Sequence, residues 1–161
     1  MKKPKLSAYQ TAVELLSILL MAATLVYALV TFPSLPAKIA GHFNAAGEIT
    51  SYSGKGSIWL LFGIELIMYV MMTAFMCTPA LTEKPNMPWD MDASYKRDIA
   101  AETISLLAEC KLLCLAMFSY MIWSITQQRP LSLKAIVILC VLMLADVVFR
   151  LVNVSKYKKT P

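Results

Sequence analysis

Four apolar runs of about 20 residues divide this chain, and they restrict its fold more than any other feature. A helix of about 20 mostly apolar residues crosses a hydrocarbon core of about 30 Å. Because the bilayer core offers no water to the backbone N–H and C=O groups, runs of this length are expected to be helical. The predicted membrane helices are 11–32, 58–76, 104–125 and 131–152.

The composition agrees with a membrane location for the whole chain. Of its 161 residues, 58% are hydrophobic and 16% are charged, which is more apolar than a typical soluble domain. We therefore predict a single all-α domain, a polytopic membrane protein whose four-helix transmembrane bundle has short connections that favour antiparallel neighbours. Its main connections are a structured extracellular loop, 33–57, and a cytoplasmic loop, 77–103, which is helix-compatible from Asp92 onward.

The first apolar run follows a basic start, MKKPK, which is also a feature of secretory signal peptides. The apolar part of a signal peptide is about 7–15 residues long and is followed by a small-residue cleavage site. The run in this chain is longer and has no convincing site of that kind. We therefore interpret it as a retained membrane helix.

The distribution of Lys and Arg predicts the orientation, because short cytoplasmic loops carry an excess of these residues. Three basic residues lie on the side of the loop 33–57, with Lys134 as a fourth if the start of helix four is counted, and nine lie on the side of the termini. The three are Lys38, Lys55 and Arg129, and the nine are Lys2, Lys3, Lys5, Lys84, Lys96, Arg97, Lys156, Lys158 and Lys159. Both termini are therefore predicted to be cytoplasmic.

Other groups of residues carry weaker functional signals. The net charge of +5 suits attraction to anionic lipid and does not predict a nucleic-acid partner. Cys110 and Cys114 share a helix face, but we interpret them as packing residues in preference to a soft-metal site. We also interpret the methionines of MYVMMTAFM as packing residues in preference to a metal-transport path. With a single histidine in the chain, a zinc site would lack ligands. No cofactor and no metal is predicted.

The loop 33–57 has the residues of an ordered segment. Pro33 and Pro36 end helix one, because proline has no N–H and disfavours helix in the residue before it. In HFNAAGE, Asn44 tolerates turn geometry and Gly47 can take a positive φ. We expect a compact plug over the bundle, onto which three apolar residues fold back: Ile39, Phe43 and Ile49.

The stretch LPAKIAGHFNAAGEITSYSGK, 35–55, contains a Leu-Pro pair followed by a His-Phe pair, a Gly, an aromatic residue and a Lys. In this pattern and spacing it resembles the signature of a bacterial membrane family known as domain of unknown function 1648. That domain forms the N-terminal part of SdpI-like immunity proteins, which protect against a secreted toxin. The resemblance implies a bacterial cell membrane and a loop function carried by Pro36, His42, Phe43, Asn44, Gly47, Tyr52 and Lys55.

Ionisable residues within the predicted helices are candidates for function, because a charge inside the bilayer is costly. At about 1.5 Å per residue, Glu65 lies roughly 10 Å below the outer end of helix two. One hypothesis is that Glu65 and His42 form a single outward-facing polar site for a cation or a polar headgroup. The alternative is structural: His42 caps the backbone of its own loop, and Glu65 bonds to a neighbouring helix.

A second set of ionisable residues lies toward the cytoplasmic side. Asp146 and Arg150 are four residues apart and are predicted to pair, which lowers the cost of burying both charges. Lys111 is expected to extend its ammonium toward the cytoplasm. The set is either a packing clasp, which we favour, or a proton or ion relay. Its members are Glu14, Glu109, Lys111, Asp146 and Arg150.

Three classes of function fit these features. We favour a binding or protective protein whose outer loop contacts a secreted peptide, a lipid headgroup or another membrane protein, in immunity to an antimicrobial peptide or in envelope stress. The second is a small ion- or solute-transport component, which would need a homo-oligomer because four helices are few for alternating access. The third is an enzyme acting on a lipid-linked substrate. We expect no enzyme, because the chain has no Ser-His-Asp order, His-Glu-x-x-His helix or Gly-rich phosphate loop.

Overall fold

The computed structural model describes residues 6–78 and 93–156, and in this part of the chain four helices are long and apolar enough to cross a membrane. The helices are α1 (Ala8–Thr31), α2 (Ser57–Met76), α3 (Ala93–Thr126) and α4 (Leu133–Lys156). A short 3₁₀ helix, Phe32–Ser34, and two strands, β1 (Lys38–Phe43) and β2 (Ile49–Gly54), lie between α1 and α2. The prediction of a mainly helical, multi-pass membrane protein is confirmed, and a lipid bilayer is its environment.

Two details differ from the sequence prediction. The all-α class omitted the antiparallel pair of β1 and β2, whose sequences KIAGHF and ITSYSG do not alternate strictly between apolar and polar residues. In addition, α3 begins at Ala93, within the stretch that was helix-compatible from Asp92 onward, so the predicted span 104–125 covers only its more apolar part. Asp92, where the helix-compatible stretch begins, lies outside the described residues, as do six of the nine basic residues counted on the side of the termini.

The first helix begins with a reciprocal cap. The Ser7 hydroxyl accepts a hydrogen bond from the Gln10 backbone N–H at 3.1 Å, and the Gln10 side chain accepts one from the Ser7 N–H at 2.9 Å. The amide group of Gln10 also donates to the Ala101 carbonyl oxygen and to Ser105 Oγ, each at 3.0 Å. One side chain therefore both starts α1 and attaches it to α3.

Helix α3 is the centre of the bundle and packs against each of the other three helices. Contacts between α1 and α3 progress in the same direction along both chains, from Gln10 with Ser105 to Tyr27 with Thr126, so these two helices are parallel. Helices α2 and α4 run antiparallel to α3, as the pairs Glu65–Ser119 and Arg150–Glu102 indicate. We call the end that carries the strands the hairpin end, and the opposite end the terminal end.

The buried apolar residues form one cluster at each end of the bundle. At the hairpin end, β1 contributes the fully buried Ile39, which packs with residues of α1, α2 and α3. At the terminal end, the smaller cluster is Val13, Met76, Ile104 and Ala108. The outward faces of α1, α2 and α4 expose many large apolar residues, whereas α3, among its described residues, exposes only Trp123. In the most apolar part of α4, no residue is buried within the chain. Those faces contact lipid, since the hydrocarbon core of the bilayer surrounds them.

Candidate functional site

The tip of the β1–β2 hairpin is a tightly bonded turn built on Asn44. The Asn44 side-chain oxygen accepts hydrogen bonds from the backbone N–H groups of Ala46 and Glu48, both at 2.9 Å. Its side-chain nitrogen donates to the Glu48 carboxylate at 2.8 Å. These side-chain bonds add to two backbone bonds at the tip, from the Asn44 N–H to the Glu48 carbonyl oxygen and from the Gly47 N–H to the Asn44 carbonyl oxygen, each at 2.9 Å.

Gly47 fastens this tip to the connection between α3 and α4. Its φ is +80°, as the sequence predicted, and its carbonyl oxygen accepts a hydrogen bond from the Leu131 N–H at 2.8 Å. A Cβ at this position would overlap the Leu131 carbonyl oxygen. Glycine is therefore required both by the backbone conformation and by the close approach of the second chain segment.

The other end of the hairpin is attached to the start of α2. The Lys55 N–H donates to the Ala37 carbonyl oxygen at 3.1 Å, and the Lys55 ammonium lies 4.8 Å from the centre of the Phe32 ring. That ring in turn lies 5.4 Å from the ring of Trp59. Lys55 is consequently held at the neck of the hairpin by a cation–π contact.

Below the strands is a pocket of about 370 Å³ between β1, α2 and α3. His42 and Phe43 of β1 line it, together with Leu60 of α2 and Ile125 of α3. The register leaves Gly41 without a partner between Ala40 and His42, so β1 bulges immediately before the histidine. Bulges of this kind re-aim a side chain. The pocket is mainly apolar, with His42 as its titratable group.

The seven loop positions predicted to carry function do not converge on one point. His42 and Phe43 line the pocket, while Asn44 and Gly47 build the tip and Lys55 lies at the neck. Pro36 is exposed before β1, and Tyr52 is exposed on β2 opposite Ala40. Most of these residues therefore shape and attach the hairpin, which leaves His42 and Phe43 as the pair that faces a space open to a ligand. The apolar residues Ile39, Phe43 and Ile49 do fold onto the bundle, as predicted.

Glu65 is fully buried on α2, where it faces α3. Ser119 donates a hydrogen bond to its Oε1 at 3.4 Å, and Thr24 lies 2.7 Å from the same hydroxyl group. Its second oxygen, Oε2, has no hydrogen-bond partner among the described residues. The structural alternative, in which Glu65 bonds to a neighbouring helix, therefore accounts for Oε1 but not for Oε2. His42 is exposed and makes no hydrogen bond with Glu65 in the described segments, so a single shared site stays a prediction.

Glu14 and Lys111 form a buried ion pair between α1 and α3, and α2 completes it. The Lys111 ammonium donates to Glu14 Oε2 and, at 3.0 Å, to Thr73 Oγ1. The Tyr69 hydroxyl donates to Glu14 Oε1 at 2.6 Å. Lys111 is only 1% exposed, so it does not extend to the aqueous side as the sequence suggested. Instead, its ammonium pairs with a carboxylate on the neighbouring helix α1.

Arg150 is the centre of a second charged group, the Arg150 cluster, in which one guanidinium contacts three carboxylates. Its strongest contacts are with Glu109 and, at 2.6 Å, with Glu102, both on α3. The predicted partner Asp146 lies at 3.5 Å from Nε. The Asp146–Arg150 pair therefore exists but is secondary to contacts between helices. The cluster consists of Tyr9, Glu102, Glu109, Asp146 and Arg150.

Several polar residues of these clusters were absent from the sequence predictions. Tyr9 donates a hydrogen bond to Glu109, while Tyr69 and Thr73 bond the Glu14–Lys111 pair. A spacing signal existed for part of the set, since Glu65, Tyr69 and Thr73 recur every four residues on one face of α2. Glu102 lies in the first, polar part of α3, which was assigned to a loop.

The segment from α1 through the hairpin into α2 matches a known family. Residues 19–66 match the family model described as Domain of unknown function (DUF1648). No curated protein and no solved structure matches the chain. The matched range includes all seven loop positions and Glu65. Residues 19–66 of this membrane protein are therefore similar to the DUF1648 family, to which the motif of the hairpin pointed.

Proposed function

We propose that this protein binds a membrane-active peptide at the hairpin end, on the outer face of a bacterial cell membrane, and catalyses no reaction. The observation that carries the proposal is the pocket of about 370 Å³ below a hairpin that is fastened at both its tip and its neck. A mainly apolar pocket with one titratable group at its edge suits an apolar side chain of a peptide. The resemblance of the loop to SdpI-like proteins supports a role in immunity or in envelope stress.

The non-enzymatic part of the proposal rests on the surroundings of His42. A general acid or base must lie within hydrogen-bond reach of the proton that it transfers in the bound substrate. His42 is the one titratable residue among those that line the pocket. The pocket is lined mostly by apolar residues, which favours binding over chemistry.

A sensitivity assay tests the binding role. Cells without the gene should be more sensitive to at least one peptide in a panel of membrane-active peptides. The variants His42→Gln and Leu60→Trp should reproduce that sensitivity at normal protein level, because the first changes the polar edge of the pocket and the second fills it. Thr50→Ala is the matched control, since Thr50 is exposed on β2 outside the pocket. Sensitivity that is unchanged in both pocket variants would contradict the proposal.

The orientation is a separate part of the proposal and rests on the nine-to-three distribution of basic residues. A single cysteine at Ser51, in a chain whose four native cysteines are replaced, should react with a membrane-impermeant reagent in intact cells. Labelling that requires permeabilised membranes would place the hairpin in the cytoplasm.

The alternative function is a component for ion or solute transport. It is favoured by one observation, the unpartnered oxygen of Glu65 deep in the bundle. The closed Glu14–Lys111 pair weighs against it, because each charge there is already compensated. If pocket variants are silent while Glu14, Glu109 or Asp146 variants abolish a measurable flux, transport replaces binding.

A further inference from the structure

A groove of about 420 Å³ lies on α3 between α1 and α4, near the terminal end of the bundle. Tyr9 and Val13 form its α1 side, and Leu142 and Asp146 are among the α4 residues that line it. It is distinct from the pocket below the hairpin, which lies at the opposite end. Its α4 side borders the lipid-facing surface, where Leu142 is about half exposed.

The groove is polar at one end and apolar at the other. Helices α1 and α3 run from the terminal end toward the hairpin end, so Tyr9 and Glu109 lie nearer the terminal end than Val13 and Leu113 do. Helix α4 runs the other way, and its Leu142 is the apolar member while Asp146 and Arg150 are the polar ones. The polar part of the groove is thus nearer the terminal end and the apolar part is deeper in the bundle. A lipid of the leaflet at that end has the same order, with its headgroup outermost and its acyl chains deeper.

The charge at the polar end is unbalanced. Three carboxylates face one guanidinium in the described part of the chain, namely Glu102, Glu109 and Asp146 against Arg150. All three nitrogens of Arg150 are already bonded to carboxylates. Asp146 Oδ2 is buried and has no hydrogen-bond partner among the described residues. Among the residues whose side chains the structure describes, the polar end of the groove therefore has more carboxylates than cationic groups.

We propose that this groove binds a phospholipid with a primary ammonium headgroup, such as phosphatidylethanolamine. The ammonium group lies beside Asp146 and Glu109, where it supplies both the missing charge and the N–H donors. One acyl chain lies along Val13 and Leu142 in the apolar part. A choline headgroup has the charge but no N–H donor, and a glycerol headgroup leaves the lipid anionic, so both complement the carboxylates less well.

The preference for an ethanolamine headgroup can be tested on the wild-type protein, without any variant. The purified full chain is incubated with phosphatidylethanolamine, phosphatidylcholine or phosphatidylglycerol of identical acyl chains, and bound lipid is counted by native mass spectrometry. We expect phosphatidylethanolamine to bind about tenfold more tightly than either of the others, as loss of a charge-assisted hydrogen bond implies. Equal binding of the choline lipid, or a preference for the glycerol lipid, would overturn the proposal.

Variants then locate the site. Asp146→Asn should reduce the preference for the ethanolamine lipid over the choline lipid, while Leu142→Trp should weaken all three lipids alike by narrowing the apolar part. Asp98→Asn is the matched control, because Asp98 is an exposed carboxylate of α3 that does not line the groove. If Asp146→Asn does not fold, Leu142→Trp still tests the location. An unchanged affinity in Leu142→Trp would place the lipid elsewhere and contradict the assignment.

Discussion

The two ends of the bundle are held together by different kinds of interaction. At the hairpin end, backbone groups fasten the hairpin: the Leu131 N–H bonds to Gly47, and the Lys55 N–H bonds to Ala37. At the terminal end, ionised side chains join the helices, with Lys111 on Glu14 and Arg150 on Glu109. Backbone contacts survive most side-chain changes, whereas a buried ion pair fails when either partner is removed. The terminal end is therefore the more sensitive to single substitutions.

The largest effect is expected for Glu14→Gln. This change leaves the Lys111 ammonium 1% exposed and without its carboxylate, and an uncompensated buried charge costs about 3–5 kcal/mol of folding free energy. The double variant Glu14→Gln with Lys111→Met should recover most of that loss, since it removes both charges. Chemical unfolding of the protein in detergent micelles measures both values.

Asp98→Asn serves as the control for that prediction as well, because it removes a carboxylate from an exposed position of α3. Its unfolding free energy should stay close to that of the wild type. A double variant that is no more stable than Glu14→Gln would mean that the ion pair is not what stabilises this end, and the contrast between the two ends would be lost.

At the hairpin end, the change with the largest expected effect is at a backbone position. Gly47→Ala should destabilise the protein by about 1–3 kcal/mol, because alanine at a φ of +80° is strained and its Cβ would overlap the Leu131 carbonyl oxygen. Gly54→Ala is the control, since a Cβ there meets no atom within 4 Å. Equal unfolding free energies for the two variants would show that the tip is not fastened to the α3–α4 connection.

The sequence was most informative where a feature depends on local properties. Helix positions follow from apolar length, and the positive φ of Gly47 follows from its turn. Contacts between helices depend on which neighbour each helix face is turned toward. The sequence indicates how deep a residue lies in the membrane, but it does not indicate which neighbouring helix the residue faces. For this reason the local partner of Arg150, Asp146, was predicted, while the stronger partners Glu102 and Glu109 were not.

The candidate site was predictable to a similar degree. The motif of the hairpin located His42 and Phe43, but the pocket that they line also needs Leu60 of α2 and Ile125 of α3, which no local pattern connects to them. The strands themselves escaped prediction because their sequences do not alternate strictly between apolar and polar residues, and a bulge interrupts the register before His42. Bulges disturb the alternation by which strands are recognised.

The smallest effect on stability is expected at Glu65, although this carboxylate is fully buried. Unlike Glu14, it has no cationic partner among the described residues, and its one hydrogen bond, from Ser119, is long at 3.4 Å. Replacing a poorly compensated buried polar group by an apolar residue of similar size is often neutral or stabilising. Glu65→Met should therefore keep the unfolding free energy within about 1 kcal/mol of the wild type or raise it.

This last prediction also separates structural from functional reasons for a charge in the bundle. Ser119 keeps its bond to Thr24 when Glu65 is replaced, so packing between α1, α2 and α3 should persist. If Glu65→Met is stable but fails in the peptide-sensitivity assay or abolishes a flux, the carboxylate is retained for function, as ionisable residues in membranes commonly are. A loss of stability as large as that of Glu14→Gln would instead mean that Glu65 is held as firmly as Glu14 is, and that an unpartnered oxygen in this bundle does not identify a functional group.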